Sequence, residues 1–209
     1  MLAPSECLRR FWHNARFAPD SAVTAPRHDP RQYINLHHGW LAHPFRAPHT
    51  LRGWLSDHGS LTQSLRSHCA SFRVVPVATG LVRANADEYA LLGMTSGTRA
   101  YVREVLLLCN EVPVVFAHSV LPLAGLRGGW NGITRLGSRS LGEALFSNHR
   151  IERQPLAYRC VRRDHTLYRA TARQATVTAR SLWARRSVFC LNGHPLLVTE
   201  VFLPAIETP

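Results

Sequence analysis

The chain contains no lysine: all 25 of its basic residues are arginine, set against only 13 acidic residues for a formal net charge of +12. Surfaces selected to grip a nucleic-acid backbone mix both cations and cluster them. A lysine-free surplus with no block of five or six like charges reads instead as the codon usage of a GC-rich genome. Long apolar runs are also missing. The most compact are Val105–Cys109 and Val112–Ala117, far short of the ~18 residues of a membrane helix. The N-terminus has no continuous apolar segment of a secretory leader. Stable membrane insertion and Sec export are therefore not expected. The five cysteines (Cys7, Cys69, Cys109, Cys160 and Cys190) form no CxxC and no close Cys/His pair. The count is odd, and no pair has metal-ligand spacing. Cys109 and Cys190 read as small buried hydrophobes, and a reducing cytoplasm fits best. There is no phosphate-cradling glycine motif and no internal repeat.

What is present is enough for one domain. The 209 residues are 45% hydrophobic, which supplies a sizeable core. Residues 1–48 carry Pro4, Pro19, Pro26, Pro30, Pro44 and Pro48 with scattered His and Arg. They read as a loosely ordered extension, and the prolines interrupt the amphipathic helix that a mitochondrial transit peptide needs. From His49 the pattern sharpens. Leu51, Trp54, Leu55 and His58 fall at helical spacing; Gly59 ends that helix and Ser60 caps another carrying Leu61 and Leu65. Phe72–Ala78, Glu88–Leu92, Thr98–Cys109 and Val112–Leu121 read as strands, and Leu141–Phe146 as a short helix behind Ser140. Ser181–Leu191, Asn192-Gly193 and Pro195–Leu203 form the clearest hairpin, because Asn-Gly is the preferred pair of a type I′ turn. Consecutive hairpins with helices before and between them predict an α+β domain on a single antiparallel sheet over residues 49–209.

Two charges are out of place on the predicted strands. Side chains alternate faces with period two, so Arg103 shares a face with Tyr101, Val105 and Leu107, and Glu200 with Leu196, Val198 and Phe202. Burying one unpaired charge costs several kcal/mol, roughly. Three arrangements answer this: an internal Arg103–Glu200 ion pair, an exposed or edge face, or a shared cavity in which Arg103 grips a carboxylate and Glu200 meets a hydroxyl or ether. Leu61 and Leu141 each open a short helix, where unpaired backbone N–H groups can hold an anion. Arg185 and Arg186 are adjacent on a strand, so at most one of them enters a pocket; a solvated sheet surface is the alternative. His118 reads as a satisfied strand histidine with no Ser/His/Asp spacing, and His37, His38 and His43 have no partner at metal-ligand spacing.

The same residues fall in ordered motifs. Trp54-Leu55…Ser60-Leu61-Thr62, Val102-Arg103-Glu104-Val105-Leu106-Leu107, Leu136-Gly137-Ser138-Arg139-Ser140-Leu141-Gly142 with Leu145-Phe146, Trp183-Ala184-Arg185-Arg186-Ser187 and Leu196–Pro204 follow one another along residues 50–205. In this order they resemble the bacterial chorismate–pyruvate lyases. The last is the most telling, since an acid inside Leu-Leu-Val-Thr-Glu-Val-Phe-Leu-Pro is chemically odd. The resemblance implies a single antiparallel sheet with helical flaps over a buried site. It implies conversion of chorismate to 4-hydroxybenzoate and pyruvate, the first step of bacterial ubiquinone biosynthesis, with no metal or organic cofactor. It also implies that Arg103 and the amides of Leu61 and Leu141 hold the ring carboxylate, and that Glu200 sits at the other end of the ring. Under this reading the chain is a cytoplasmic monomeric enzyme with no nucleic-acid partner. The alternative is a non-enzymatic sensor of an aromatic acid with the same fold; regulators of that kind carry a DNA-binding domain for which residues 1–48 are too short. Residues 147–180 are longer than in the shorter members and fit an extra strand pair or an extended flap.

Overall fold

A computed structural model of the chain describes residues 37–207. Seven antiparallel strands form one sheet: β1 (Phe72–Arg83), β2 (Arg99–Cys109), β3 (Val112–Pro122), β4 (Glu152–Arg153), β5 (Ala157–Arg162), β6 (Ser181–Leu191) and β7 (His194–Phe202). Their spatial order is β1-β2-β3-β7-β6, with β4 and β5 lying one after the other along the far side of β6. Among the described residues six α-helices accompany them: α1 (His49–Ser56), α2 (Leu61–His68), α3 (Ala86–Tyr89), α4 (Leu123–Leu126), α5 (Leu141–Ser147) and α6 (Thr166–Gln174). The α+β reading with one antiparallel sheet holds.

Local chemistry explains the hairpins. Asn192 and Gly193 both adopt positive φ, 51° and 78°, as a type I′ turn between β6 and β7 requires. Asn110 and Glu111 do the same between β2 and β3, at 49° and 66°. Glu111 has no glycine's freedom there, and the turn is braced from outside: Asn110 Oδ1 accepts the Ser71 amide, and Arg73 holds Glu111 with two hydrogen bonds. Pro76 is tolerated because β1 is an edge strand and its register shifts at that point. One expected strand is not a strand. Glu88–Leu92 begins inside α3, where Asn85 and Glu88 form a reciprocal capping box; that Asn-x-x-Glu spacing favours a helix start. The 147–180 segment supplies β4, β5 and α6, which lengthen the sheet beyond β6.

Both faces of the sheet are covered. On one face α1, α2 and α5 bury Leu51, Leu55, Leu61, Leu65, Leu141 and Leu145 against Val105, Leu107, Phe189, Leu196 and Phe202. On the other, α6 and Trp40 pack on Leu106, Phe116, Leu182 and Val201, while Tyr89 and Leu92 cover Val102 and Val188. Of the stretch expected to be a loose extension, residues 1–36 lie outside the described residues. Within the rest of it Trp40 is fully buried, and Leu41 makes a β-bridge to Tyr158, so residues 40 and 41 pack on the sheet. Cys109 is buried as expected, but its sulfur is bonded to Cys69 at the end of α2; the two Cα atoms stand 5.3 Å apart although 40 residues separate them. Only the fold brings them together, so spacing could not reveal the pair.

Candidate active site

The first face carries a pocket under α2 and α5. Its polar lining comes from five strands and two helix starts: Arg103 from β2, Ser119 from β3, Arg153 from β4, Arg185 and Ser187 from β6, Glu200 from β7, and the backbone of Leu61 and Leu141 from the helices. The four residues singled out from the sequence, Arg103, Glu200, Leu61 and Leu141, therefore meet around one cavity. The register places them there. Arg103 pairs with Ser119, Ser119 with Val198 and Val198 with Ser187; Glu200 lies one inward position along, level with Ala117 and Arg185.

Arg103 is almost wholly buried, and Nη2 donates to the carbonyls of Gly137 (2.9 Å) and Arg139 (3.1 Å). No carboxylate of the described residues lies within ion-pairing distance of it. Burial pushes its pKa below the usual guanidinium range, with Tyr101 countering. A buried cation held only by carbonyls is costly unless an anion joins it. The internal Arg103–Glu200 pair is thus not formed, and neither charge faces bulk solvent across an open sheet.

Glu200 is taken by a different arginine. Arg185 Nε donates to Glu200 Oε2 at 2.5 Å, and Nη1 donates to the carbonyls of Trp54 (2.7 Å), Leu55 (3.4 Å) and Asp57 (2.7 Å). Arg185 is 1% exposed. It fastens the C-terminal end of α1, where the helix dipole favours a cation, to the floor of the pocket. Arg186, its neighbour, points to the opposite face as alternation demands. There it lies 4.0 Å from the centroid of the Trp40 ring and donates to Asp87. Both arginines are buried, so the solvated-surface alternative does not hold for either.

The two helix starts abut. Ser60 Oγ caps α2 by accepting from Gln63, and Ser140 Oγ caps α5 by accepting from Glu143. Thr62 Oγ1 and Ser140 Oγ are hydrogen-bonded at 2.7 Å. Gly142 is required by this contact, because a Cβ there would stand 2.9 Å from Thr62 Oγ1. Leu61 and Leu141 occupy the first helical positions, where the backbone N–H has no acceptor within the helix. Arg103, through residues 137 and 139, ties the turn that enters α5 to β2.

Sequence reasoning missed Arg153 on β4, which also lines the pocket. Nothing in its local pattern marks it, since β4 is two residues long. His118 lies on the opposite face, as a satisfied strand histidine should. Nδ1 is 3.0 Å from Glu104 Oε1, its cross-strand neighbour, and Nε2 is 3.2 Å from Glu88 Oε1, near enough for ion pairing though off the line of a good hydrogen bond. Burial alone would lower its pKa, but Glu88 and Glu104 outweigh that and raise it to about 10. No group of three or more His, Cys, Asp or Glu side chains among the described residues is arranged to hold a metal ion. No helix among them is long and apolar enough to cross a membrane.

Comparison with known proteins agrees with this geometry. The fold is similar to that of PhnF from Mycobacterium smegmatis, with a TM-score of 0.53 over 73% of this chain and 67% of that one; at 18% identity the likeness is one of fold alone. The chain is 58% identical to a probable chorismate pyruvate-lyase of Thiobacillus denitrificans over 187 residues, 90% of this chain and 100% of that protein. It is 46% identical to a protein of the same description from Nitrosomonas europaea, over 83% of this chain and 98% of the relative. The family model for chorismate lyase matches residues 42–208, the stretch that contains every residue of the pocket, and the chain belongs to the chorismate lyase family.

Proposed function

We propose that this chain is a chorismate lyase that releases 4-hydroxybenzoate and pyruvate from chorismate, with Arg103, Glu200 and the amides of Leu61 and Leu141 as its working groups. The observation that carries the site assignment is Arg103: a buried guanidinium without a carboxylate partner, beside the first N–H groups of two helices. Three arginines and one glutamate line the pocket, a surplus of two positive charges that suits a dicarboxylate.

The reaction is an elimination. The ring loses the C4 hydrogen and the enolpyruvyl ether at C3, becomes aromatic, and the two products together contain every atom of the substrate. Aromatisation makes it downhill, so the protein's task is to hold one conformer, exclude water and balance charge. Arg103 and the two amides anchor the ring carboxylate. The apolar lining of Val105, Leu107, Leu145, Val198 and Phe189 excludes water and strengthens each polar contact. Glu200, held against Arg185, faces the far end of the ring as a hydrogen-bond acceptor for the C4 hydroxyl and a receiver for the departing C4 proton. The arrangement favours this acceptor role over donation to the ether, because Arg185 already donates to the carboxylate.

Covering helices over a pocket of this kind predict slow release of the aromatic product. The relatives named above favour the enzyme over a sensor of the same fold. The test is direct: purified protein is mixed with chorismate, and 4-hydroxybenzoate absorbance and pyruvate are followed together. Equal release of both supports the reading. Binding of 4-hydroxybenzoate with no turnover would make the chain a sensor.

A further inference from the structure

Arg153 stands at the other end of the pocket from Arg103. The strand order separates them by four inter-strand steps, about 19 Å of sheet at ~4.8 Å per step, and both line the same cavity. Arg153 pairs across to Phe189, one inward row from the row of Arg103. Its Nη1 is spoken for: it donates to the carbonyl of His58 at 2.6 Å and reaches that of Gly59 at 3.5 Å. Its Nε is different. It is buried and has no hydrogen-bond partner. No carboxylate of the described residues lies within ion-pairing distance of this side chain. The guanidinium lies against the edge-to-face pair of Phe146 and Phe189, 5.4 and 5.3 Å from their ring centroids, so swinging to another anion would give up both ring contacts.

In a guanidinium the Nε–H and the nearer Nη2–H point the same way and form the edge that a carboxylate takes bidentately. With Nη1 turned to the backbone, that edge is the one Arg153 has left to offer. Arg185 offers nothing comparable, because its Nε is occupied by Glu200. The pocket therefore holds two cations that lack a counter-charge, Arg103 and Arg153, at opposite ends. The proposed substrate has two carboxylates, one on the ring and one on the enolpyruvyl group. The aromatic product retains the first alone.

We propose, resting on the lyase reading above, that Arg153 is the grip for the second carboxylate: it binds the enolpyruvyl group of the substrate, and not the aromatic product. Phe146 and Phe189 support the guanidinium where it lines the cavity. Anchoring the leaving group there fixes the rotation about its ether bond and places a positive charge beside it as the C3–O bond breaks and the electron pair departs with oxygen. It also gives the site a means of preferring substrate over product, which Arg103 alone cannot provide, since both molecules carry the ring carboxylate.

The test compares two ligands that need no turnover: 4-hydroxybenzoate, with one carboxylate, and a 4-hydroxybenzoate ring bearing a carboxymethoxy group at C3, with two. Their dissociation constants are measured by calorimetry on the full chain and on Arg153→Met and Arg153→Lys. Loss of a charge-assisted bidentate contact weakens binding by about 10- to 150-fold. Arg153→Met is expected to weaken the dicarboxylate by that factor and to leave 4-hydroxybenzoate within about twofold of the wild type. Arg153→Lys, which keeps the charge and loses the planar edge, is expected to fall between. It carries the test if the methionine variant does not fold. With chorismate, KM is expected to rise and kcat to fall in both variants. Dicarboxylate binding unchanged in the variants, or both ligands weakened equally, would overturn the assignment. Failure of the wild type to release pyruvate from chorismate is a separate outcome: it would sink the lyase reading, whereas the ligand pair reads the two anion grips without any chemistry.

Discussion

Replacing Arg103 with methionine separates binding from folding. Arg103 is 3% exposed, and its guanidinium donates two hydrogen bonds, to the carbonyls of Gly137 and Arg139. Each has a charged donor and is worth about 1.5–3 kcal/mol, so their loss costs about 3–6 kcal/mol. Residues 137 and 139 are exposed, so their carbonyls regain water when the guanidinium leaves. Against this stands the burial of a cation with no carboxylate beside it, a penalty of several kcal/mol, roughly, that methionine removes while keeping an apolar side chain in a cavity also lined by Val74, Val105 and Val198. The two terms nearly cancel, and the unliganded variant is expected to lie within about 1.5 kcal/mol of the wild type. Binding behaves otherwise. Loss of a guanidinium–carboxylate contact weakens 4-hydroxybenzoate about 10- to 150-fold. At a ligand concentration of about 100 times the wild-type Kd, the wild type gains about 2.7 kcal/mol; a variant binding about 100-fold more weakly gains about 0.4 kcal/mol. For a domain of this size that is an upward shift in Tm of about 5–11 °C against about 1–2 °C. Thermal unfolding followed by circular dichroism, with and without the ligand, reads both quantities. A fall of more than about 12 °C in the unliganded Tm would mark Arg103 as a structural cation. A ligand shift equal to that of the wild type would remove it from the site.

Three further outcomes follow from the same contacts. Glu200→Ala leaves Arg185 buried without its counter-charge and should cost about 3–5 kcal/mol in urea unfolding, whereas Glu200→Gln keeps a hydrogen-bond partner and costs less; both should abolish release of 4-hydroxybenzoate, and retained turnover in either would exclude Glu200 from the chemistry. Gly142→Ala forces Thr62 Oγ1 away and breaks its bond to Ser140, while alanine gains about 1 kcal/mol in helix propensity; the Tm should therefore barely move and the inhibition constant of 4-hydroxybenzoate should rise severalfold, and an unchanged constant would show that the contact between the two helix starts does not shape the site. His118 has a folded pKa raised to about 10 from 6.5, so its contribution to stability is complete below about pH 6.5 and is lost as pH rises toward about 10. Glu88, whose pKa is lowered by His118 and Asn85 despite burial, acts in the opposite sense and loses its contribution below about pH 4.5. Urea midpoints should accordingly fall between pH 6.5 and 10 in the wild type and stay flatter in His118→Asn; equal slopes would refute the pairing.

Much of the fold could be read from local signals, because the forces that set strands and turns act over a few residues. Apolar, β-branched runs show β2, β3, β6 and β7, and Asn192-Gly193 shows the turn between the last two. Alternation also showed Arg103 and Glu200 as charges on apolar faces and separated Arg185 from Arg186. The helix at Ala86–Tyr89 has its own local signal, an Asn-x-x-Glu capping box.

Partnership was not legible. Whether Arg103 or Arg185 faces Glu200 depends on which strands are neighbours, and β7 lies between β3 and β6, two strands away from β2. The Cys69–Cys109 bond, the Glu88–His118–Glu104 cluster and the contact of Thr62 with Ser140 across 78 residues likewise depend on sheet order and on which face each helix covers. Arg153 is the clearest case. Its strand is two residues long and gives no period, so the sequence alone presents one arginine among 25. Its position along β6, its contact with two phenyl rings and its unpaired Nε are products of the assembled sheet. The sequence by itself determined the long strands β2, β3, β6 and β7, the first helices, the family and two of the pocket's charges, since those are written in short-range pattern and motif order. The tertiary structure decided which charges compensate one another and which are left for a ligand, because Coulomb and hydrogen-bond energies depend on distances in space, not along the chain.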